Sequence, residues 1–441
     1  MRWWFLLFVF VLGTNTILAQ IKLVKIDEGK RNYGPSEPSI ANNPLQPKQI
    51  VAGSVLSNVY FSRDAGVSWN VDTIRSPYGV WGDPCLLADY NNHFFYFHLS
   101  SPGNQGRNAE SWLDRIVCQR SSDGGRTWSS GASIGYHPNH NQDKEWATVD
   151  PQNNHLYVSW TEFEEYGSTD PEDSSSIVIA KSTDAGETWS EPIRINQKAG
   201  NCLDDDQTVE GAVPAVGPAG QVYVAWANND TLYFDRSTDG GNTWLDRDII
   251  VAQQPGGWSQ SVAGLARCNG MPVTVCDLSD SPYQGTIYVN WTDQRNGSDD
   301  IDVWLSRSTD QGNTWSEPLR VNNDEAGHQQ FLTWMAIDPT TGYLYVVFYD
   351  RRNTSGTDTD VFLAYSTNGG NHFTNVKLTD QPFKIDSSTV FFGDYNNVTA
   401  YDQRIYPIWT QQKGKKLSIW TALIQHQDLE EAVTKTGKEA Q

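Results

Sequence analysis

Acidic side chains recur along this chain at positions that begin or end predicted strands. They are Glu37, Asp83, Glu145, Glu210 and Asp394 at strand starts, and Asp293 and Asp350 at strand ends. Two sister loops, DQRNGSDDID from Asp293 and DRRNTSGTDTD from Asp350, add Arg295, Arg351 and Arg352. Aromatic rings stack on sugar faces, and carboxylates and arginines form hydrogen bonds with hydroxyl groups. These residues therefore predict a site that binds a glycan or polysaccharide.

The same residues also have structural interpretations. Arg295 could pair with Asp302, and Arg352 with Asp360, because an arginine fork binds a carboxylate readily. The acids at strand starts could cap turns or hold a cation in a channel. A structural calcium ion on the DDID and DTD segments of the two loops is compatible with their oxygen-rich sequence, and no other cofactor is predicted.

An eight-residue motif, called the box below, accounts for the scaffold. STDGGNTW at Ser237 recurs with small changes at Ser62, Ser121, Ser182 and Ser308, and as STNGGNHF at Ser366. Its Ser and Asp side chains can bond to nearby backbone groups and its Gly permits a positive φ, so each box predicts a tight turn. A catalytic motif is not needed six times, and we interpret the boxes as scaffold.

Apolar strands such as HLYVSW, QVYVAW, TIYVNW and YLYVVF recur between the boxes, seven strands in all. Repeated four-stranded units predict an all-β fold, a β-propeller of antiparallel four-stranded blades. The seventh unit lacks its fourth strand, which LVKIDEG from Leu23 can supply. We therefore favour seven blades, closed by the N-terminal strand, over six.

The antiparallel order of the strands divides the predicted residues between two faces of the ring. The boxes, between third and fourth strands, fall on one face, called the bottom. The starts of first strands, the ends of second strands and the links between blades fall on the other, the top. Links add Tyr78, Trp81, Tyr136, His137, His140, Asp143, Lys144 and His328 to that face. The predicted site residues therefore share the top face.

The box resembles the Asp box, or BNR repeat, of sialidase-like propellers, and the resemblance covers nearly the whole mature chain. It implies an exo-sialidase-like glycoside hydrolase. VEGAVPAVGPAGQVYVAW resembles the family segment with a helper glutamate, which falls at Glu210. GDYNNVTAYDQRIYPIW resembles the segment with the tyrosine nucleophile, which falls at Tyr395, and Asp83 in GDP is the corresponding acid.

The sequence departs from that family at the three arginines that grip the substrate carboxylate. Glu37 stands near the first arginine position, and Ala227 and Asn228 stand at the second. Before Tyr395, where the third is expected, the segment KIDSSTVFFGD offers only Lys384. The resemblance therefore supports the fold more strongly than it supports cleavage of sialic acid.

Three functions remain open at this point. In a glycoside hydrolase, Asp83 with Glu210, or Tyr395 with Glu210, would perform the chemistry. In a polysaccharide lyase, as in the seven-bladed ulvan lyases that resemble this fold, a His or Tyr of YHPNH would take the proton and Arg351 or Arg352 would neutralise a uronate. The third option is a binding propeller without catalysis, since fold does not fix function.

Charge and termini indicate where such a protein acts. The formal net charge of −21 argues against nucleic acid as a partner. Residues 1–19 are interpreted as a signal peptide, 20–425 as one propeller and 426–441 as a loose polar tail. We expect a secreted or periplasmic monomer that does not insert into a membrane. Cys268 and Cys276 could close a loop, and the five cysteines leave at least one unpaired.

Overall fold

Four-stranded antiparallel sheets build the fold in this computed structural model, which describes residues 21–29, 34–108, 111–388 and 390–439. The N-terminal strand is β1 (Lys22–Glu28). Blade 1 contains β2 (Ser39–Asn42), β3 (Ile50–Ser54), β4 (Asn58–Ser62) and β5 (Asn70–Thr73). Blade 2 contains β6 (Gly82–Ala88), β7 (Phe94–Leu99), β8 (Ile116–Ser121) and β9 (Ala132–Ile134). Blade 3 contains β10 (Asn141–Val149), β11 (Leu156–Phe163), β12 (Ser175–Ser182) and β13 (Ile193–Arg194).

The second half of the ring repeats this pattern. Blade 4 contains β14 (Glu210–Val216), β15 (Val222–Asn228), β16 (Thr231–Ser237) and β17 (Ile249–Gln253). Blade 5 contains β18 (Val273–Cys276), β19 (Ile287–Asp293), β20 (Asp302–Ser308) and β21 (Leu319–Arg320). Blade 6 contains β22 (Gln330–Ile337), β23 (Leu344–Asp350), β24 (Asp358–Ser366) and β25 (Thr374–Lys377), and the short β26 (Phe383–Lys384) also pairs with β24. Blade 7 contains β27 (Asn397–Tyr401), β28 (Arg404–Lys413) and β29 (Lys416–Gln425).

The N-terminal strand closes the ring, as the sequence predicted. β1 runs antiparallel to β29, with Lys22 opposite Leu423 and Glu28 opposite Ser418. The first strand of each blade contacts the first strand of the next, from β2 round to β27 and back to β2. The prediction of an all-β propeller with seven four-stranded blades is confirmed.

Each box forms the turn between the third and fourth strands of blades 1 to 6. In blade 2, Asp123 Oδ1 accepts hydrogen bonds from the Thr127 N–H (2.9 Å) and the Ser121 hydroxyl (2.9 Å). Its Oδ2 accepts the Thr127 hydroxyl at 2.7 Å. Gly125 follows with φ 87°, which a residue with a side chain rarely adopts. These side-chain bonds are local to the box and hold the carboxylate in the turn, and Arg63 of blade 1 also donates to the Asp123 carbonyl.

Aromatic side chains fill the space between blades. The largest buried side chains include Trp160, Trp226, Trp291 and Trp409, one from the second strand of each of four blades. Box tryptophans pack edge-on against the preceding blade, Trp189 against Phe97 at 5.8 Å and Trp315 against Phe234 at 5.1 Å between ring centres. Most of the core is therefore interblade, and neighbouring blades stabilise one another.

The C-terminal segment corrects the expectation of a loose tail. An α-helix, α1 (His426–Glu439), begins at the residue where the tail was expected. It is anchored at its first turns, because Leu429 is buried in the main core and His426 packs against Tyr343 and Tyr365. No helix within the described ranges is long and apolar enough to cross a membrane. The proposed signal peptide lies outside the described residues.

The cysteines do not form the bridge that the sequence allowed. All five, each within the described residues, are free and buried. Cys268 precedes β18 and Cys276 ends it, so the strand Val273–Cys276 lies between the two residues. An extended strand advances about 3.3 Å per residue, which carries them beyond the Cα separation that a disulfide tolerates.

Candidate functional site

The first strands of several blades begin with a bulge on the top face. The register shifts between Gly82 and Cys85, between Asp143 and Trp146, and between Glu210 and Val213. Left-handed backbone occurs at Glu37 (φ 53°), Asp83 (φ 50°) and Lys144 (φ 57°). Bulges redirect side chains, and such backbone conformations concentrate at functional sites. The bulges bring charged side chains from several blades to the centre of the top face.

Two cations hold this centre together. Lys144 Nζ lies 3.0 Å and 3.1 Å from the two carboxylate oxygens of Asp394, and 3.9 Å from Asp83 Oδ2. Arg267 Nη2 lies 2.5 Å from Asp394 Oδ2, and its Nη1 lies 3.2 Å from Asp204 Oδ2. Below, the top-face cluster means these residues and the acids that interact with them: Glu37, Asp83, Asp143, Lys144, Glu145, Asp204, Glu210, Arg267 and Asp394.

Six of the acids form three hydrogen-bonded carboxyl pairs. They are Asp143 with Asp83, Glu210 with Asp204, and Glu37 with Asp394. In each pair the first carboxyl donates and the second accepts. Two adjacent carboxylates repel each other, so one proton per pair is the stable arrangement.

Gly393 makes the third pair possible. Its backbone has φ 92°, and a Cβ atom there would lie 2.7 Å from Glu37 Cγ. Any other residue at this position would therefore push Glu37 away from Asp394.

Burial sets the protonation of the acids. It raises the pKa of Glu37, Glu145 and Glu210 well above the ordinary value. Burial and the neighbouring Asp83 raise the pKa of Asp143 to about 7. Burial alone would also raise the pKa of Asp394, but Arg267 and Lys144 outweigh it and hold that pKa below its usual range. The cluster therefore contains both neutral and ionised carboxyl groups near neutral pH.

Buried polar atoms at the site lack hydrogen-bond partners among the described residues. They are both carboxyl oxygens of Glu145, Oε1 of Glu210 and the hydroxyl of Tyr395. The Tyr395 side chain is only 2% exposed, and its ring packs edge-on against Trp146 at 5.1 Å. Burial and the nearby Asp83 raise its pKa well above the ordinary value, so the hydroxyl stays protonated.

The cluster has an upper layer that solvent reaches and a lower layer that it does not. The exposed fraction of the side chain is 45% for Arg267, 20% for Asp204 and 16% for Asp83. Lys144 and Asp394 lie beneath them at 3%. A cavity of about 410 Å³ opens beside the cluster, lined by Arg267, Asp204, Asp394 and the link from Trp258 to Asn269. Any substrate must approach from this upper layer.

Aromatic rings border the upper layer. Trp112 lies edge-on to Trp81 and to Tyr166, with 5.7 Å between ring centres in both contacts. The Tyr166 hydroxyl donates to Asp204 Oδ2 at 2.6 Å, which joins this aromatic rim to the cluster. Phe391 is 42% exposed beneath the guanidinium of Arg267. Rings beside carboxylates are the combination that sugar recognition requires.

Below the cluster lies the central channel. Trp146 and Trp334, with 4.3 Å between their ring centres, line its upper part. The first strands of all seven blades line the rest. Its volume of about 290 Å³ is bounded mainly by apolar side chains. The charged chemistry is therefore confined to the top face.

The structure brings together six of the residues that the sequence proposed. Glu37, Asp83, Glu145, Glu210 and Asp394 belong to the top-face cluster, and Tyr395 lies against it. Their individual catalytic and binding roles remain predictions.

The loop residues lie elsewhere, and their expected ion pairs are wrong. Arg295 pairs with Asp293 at 2.5 Å rather than with Asp302, and Arg352 pairs with Asp350 at 2.7 Å rather than with Asp360. The nearer carboxylate lies only two residues away and completes a fork within the loop. These four residues show no contact with the cluster in the described parts of the chain.

Arg351 differs from its neighbours because it bonds to no carboxylate among the described residues. It is buried and donates to the Ala263 carbonyl at 2.7 Å and to Gln329 Oε1 at 3.1 Å. Ala263 belongs to the long link that carries Arg267, so Arg351 supports that link from below.

In each segment where the sequence allowed a calcium ion, one acid is paired with a basic side chain. Arg320 lies 3.4 Å from Asp302, and Lys377 lies 3.0 Å from Asp360. Across the described ranges, no group of three His, Cys, Asp or Glu side chains has a metal-binding arrangement.

Sequence reasoning missed Arg267 and Asp204 and gave no role to Asp143 and Lys144. Arg267 lies in the link LARCNG, which follows no recognised motif. Asp204 belongs to the acidic run LDDDQ, which precedes Glu210 and offered a weak signal. Asp143 and Lys144 were placed on the top face, but their partners come from other blades, Asp83 from blade 2 and Asp394 from the link before blade 7.

Comparison with known proteins supports the fold. No family model and no curated protein matches the chain. An ulvan lyase of polysaccharide lyase family PL25, solved with -[GlcA(1-4)Rha3S]- bound, aligns with a TM-score of 0.55 and 12% identity over 93% of this chain and 99% of its own. The chain shares its fold with this lyase.

Two sialidase structures align less well. The NanB sialidase from Streptococcus pneumoniae has a TM-score of 0.49 and 10% identity, over 86% of this chain and 84% of its own. The Hadza microbial sialidase Hz136 has a TM-score of 0.49 and 14% identity, over 86% of this chain and 73% of its own.

Proposed function

We propose that this chain is a carbohydrate-active enzyme, a glycoside hydrolase that works outside the cytoplasm through the top-face cluster. One observation carries the proposal. Asp83 and Asp204 both reach solvent, and each accepts a hydrogen bond from a neighbouring protonated acid, Asp143 and Glu210 respectively. Glycoside hydrolysis needs two carboxyl groups in different protonation states on either side of the scissile bond.

In the proposed reaction the Asp143–Asp83 pair supplies the acid. Asp143 holds the proton and passes it to Asp83, and Asp83 transfers it to the glycosidic oxygen as the bond to the anomeric carbon breaks. Near pH 7 such a pair is half protonated, which suits general acid catalysis. The attacking water loses a proton as it adds to the anomeric carbon, and one proton from solvent restores the protonated pair before the next turnover.

Asp204 acts from the other side of the sugar. The Tyr166 hydroxyl and Arg267 fix its carboxylate, and Glu210 donates to it from below. It either removes a proton from the attacking water or attacks the anomeric carbon itself. The separation between the Asp83 and Asp204 carboxyl groups around the bound sugar decides between these routes and sets the stereochemistry. Glu210 is thus a positioning residue, because its hydrogen bond orients the Asp204 carboxylate.

The test is release of reducing ends from a broad panel of neutral, amino and acidic glycans that includes a sialyl reporter. Asp83→Asn and Asp204→Asn should each lower kcat/KM by at least about 100-fold, the usual loss when an acid or base is removed. Glu317→Gln is the matched control, because it removes one charge from an exposed position just beyond a box. Full activity in both aspartate variants would overturn the proposal.

A polysaccharide lyase is the second candidate, favoured by one local arrangement and by the shared fold. His140 Nδ1 lies 3.3 Å from Glu162, and the His140 ring stacks on His137 at 3.6 Å. Histidine is the side chain that most often serves as a general base. Ultraviolet absorbance from unsaturated uronates in the same panel, lost in His140→Ala, would establish the lyase. Binding without any product would favour the non-catalytic propeller.

A further inference from the structure

The top-face cluster has a surplus of acceptors. It contains seven carboxyl groups, from Glu37, Asp83, Asp143, Glu145, Asp204, Glu210 and Asp394, against the two cations Lys144 and Arg267. Both cations are already engaged, Lys144 with Asp394 and Arg267 with Asp394 and Asp204. Neither is free to bind a carboxylate or sulfate of a substrate.

Two of the buried acids still have carboxyl oxygens without partners. Both oxygens of Glu145 and Oε1 of Glu210 accept no hydrogen bond from the described residues, although each side chain is 1% exposed. A buried acceptor without a donor is costly to the fold. Protonation of these carboxyl groups removes their charge, but these oxygens still accept no hydrogen bond. A ligand that donates hydrogen bonds would satisfy them.

The other arginines of the top face do not offset the surplus of carboxyl groups in the cluster. Arg295 and Arg352 are neutralised inside their own loops, and Arg351 bonds to a backbone carbonyl. Arg107 stacks on the rings of Trp112 and Tyr166 at the rim. With a formal net charge of −21 over the chain, the field at this face repels anions and attracts cations.

We propose that the substrate is a glycan with free amino groups, and that one ammonium group binds against the Asp83 and Asp204 carboxyl groups, next to the sugar whose glycosidic bond they flank. This inference rests on the proposed glycan hydrolysis and names its substrate class. An ammonium group brings three donors and no acceptor, which complements a site rich in acceptors. The rim of Trp81, Trp112 and Tyr166 then stacks on the sugar rings.

Ammonium binding should release protons from the cluster. A cation near a carboxyl group favours its ionised form. The titratable groups around the proposed position are Asp83, Asp143, Glu145, Asp204 and Glu210, with Lys144 and Arg267 beside them. Calorimetric heats measured in two buffers of different ionisation enthalpy should therefore reveal net proton release.

The test compares hexasaccharides of β-1,4-linked glucosamine, of its N-acetylated form, and of α-1,4-linked galacturonic acid by isothermal titration. The first two share a backbone and differ only in the acetyl groups. The glucosamine hexamer should bind at least about tenfold more tightly than the acetylated one, and more weakly as salt rises. Asp83→Asn should weaken it by about tenfold, whereas Glu317→Gln, with the same change in net charge, should not.

The outcomes separate this inference from the proposed function. Equal binding of the acetylated hexamer, or tighter binding of the galacturonic acid hexamer, would overturn the inference. Asp83-dependent hydrolysis of another glycan would then leave the proposed function standing. Tight, Asp83-dependent binding of glucosamine without release of reducing ends would support the binding site and reject hydrolysis.

Discussion

Lys144 Nζ lies 3.0 Å from Asp394 Oδ1 and joins two residues that are 250 positions apart in the chain. Lys144 lies in the first strand of blade 3, and Asp394 precedes the first strand of blade 7, so the ion pair crosses the centre of the ring. Both side chains are almost fully buried. The pair therefore has a structural role as well as an electrostatic one, because it fixes the positions of the acids around it.

The first prediction concerns this ion pair. Lys144→Met keeps a long unbranched side chain but leaves Asp394 with less compensation. Removing one partner of a buried pair costs about 3–5 kcal/mol, because the other charge stays buried. We expect the free energy of unfolding to fall by an amount near the lower end of this range, since Arg267 still contacts Asp394. Urea unfolding of the variant measures it.

A double variant provides the control for this prediction. Asp394→Asn added to Lys144→Met removes the stranded charge and should recover part of the lost stability. The thermodynamic cycle isolates the coupling between the two residues. If each single variant loses less than about 1 kcal/mol, the pair resembles an exposed surface pair, and its proposed structural role is wrong.

The second prediction concerns stability against pH. Glu37, Asp143, Glu145 and Glu210 have raised pKa values, so the folded state holds protons that the unfolded state releases. Stability from such groups is present at low pH and is lost as the pH rises towards the folded pKa. Each contributes a slope of about 1.4 kcal/mol per pH unit in that window. Asp394 has the opposite sign, but its contribution is lost only in strong acid.

We therefore expect the free energy of unfolding to fall from about pH 5 to about pH 7, as the unfolded carboxyl groups release protons. Asp143→Asn should make this slope shallower, because the pKa of Asp143 is about 7 and its contribution to the slope therefore falls between about pH 5 and about pH 7. Denaturant unfolding at a series of pH values tests both statements. A stability that rises over this range would contradict the proposed protonation.

The box and the strand pattern predicted the fold because both act locally. A turn such as Ser121 to Trp128 is determined by bonds within eight residues, and the strand between two turns by its own apolar side chains. Even closure by β1 followed from the similarity of LVKIDEG to other fourth strands. Local interactions of this kind can be predicted from short stretches of sequence.

The site was only half predictable, for the opposite reason. Glu37, Asp83 and Glu210 were found because they stand at equivalent positions of repeated strands. Arg267 was missed because it belongs to an irregular link whose path depends on Arg351 and other distant residues. The pairing of Asp143 with Asp83 also depends on two bulges, which a simple alternation of buried and exposed residues does not reveal.

The third prediction concerns the box as scaffold. Asp123→Ala removes acceptors for the Thr127 N–H, the Thr127 hydroxyl and the Arg126 N–H. We expect a loss of about 1–2 kcal/mol, similar to that of a helix cap, with activity unchanged in the surviving folded protein. Asp123→Asn is the matched control and should cost less, because Asn368 makes the equivalent bonds in the sixth box. A large fall in activity at unchanged stability would reject the scaffold interpretation.

The fourth prediction concerns the dependence of rate on pH. The proposed acid requires the proton shared by Asp143 and Asp83, and the pKa of Asp143 is about 7. Activity should therefore fall as the pH rises above about 7, since the alkaline limb of the kcat/KM profile reports ionisation of the general acid. Asp143→Asn leaves Asp83 without its proton donor, and the limb should move to lower pH. An unchanged profile in this variant would show that another group is the acid.

The fifth prediction tests Tyr395, to which the family resemblance assigned the nucleophile. Its hydroxyl is buried, has no hydrogen-bond partner among the described residues and has a pKa raised well above the ordinary value. Such a phenol is shielded from substrate and is a poor nucleophile. We expect Tyr395→Phe to retain kcat/KM within a factor of about three and to be as stable or more stable, because it removes an unsatisfied polar atom. A loss of about 100-fold or more at unchanged stability would instead support covalent catalysis by Tyr395 and would require the top-face cluster to open during turnover.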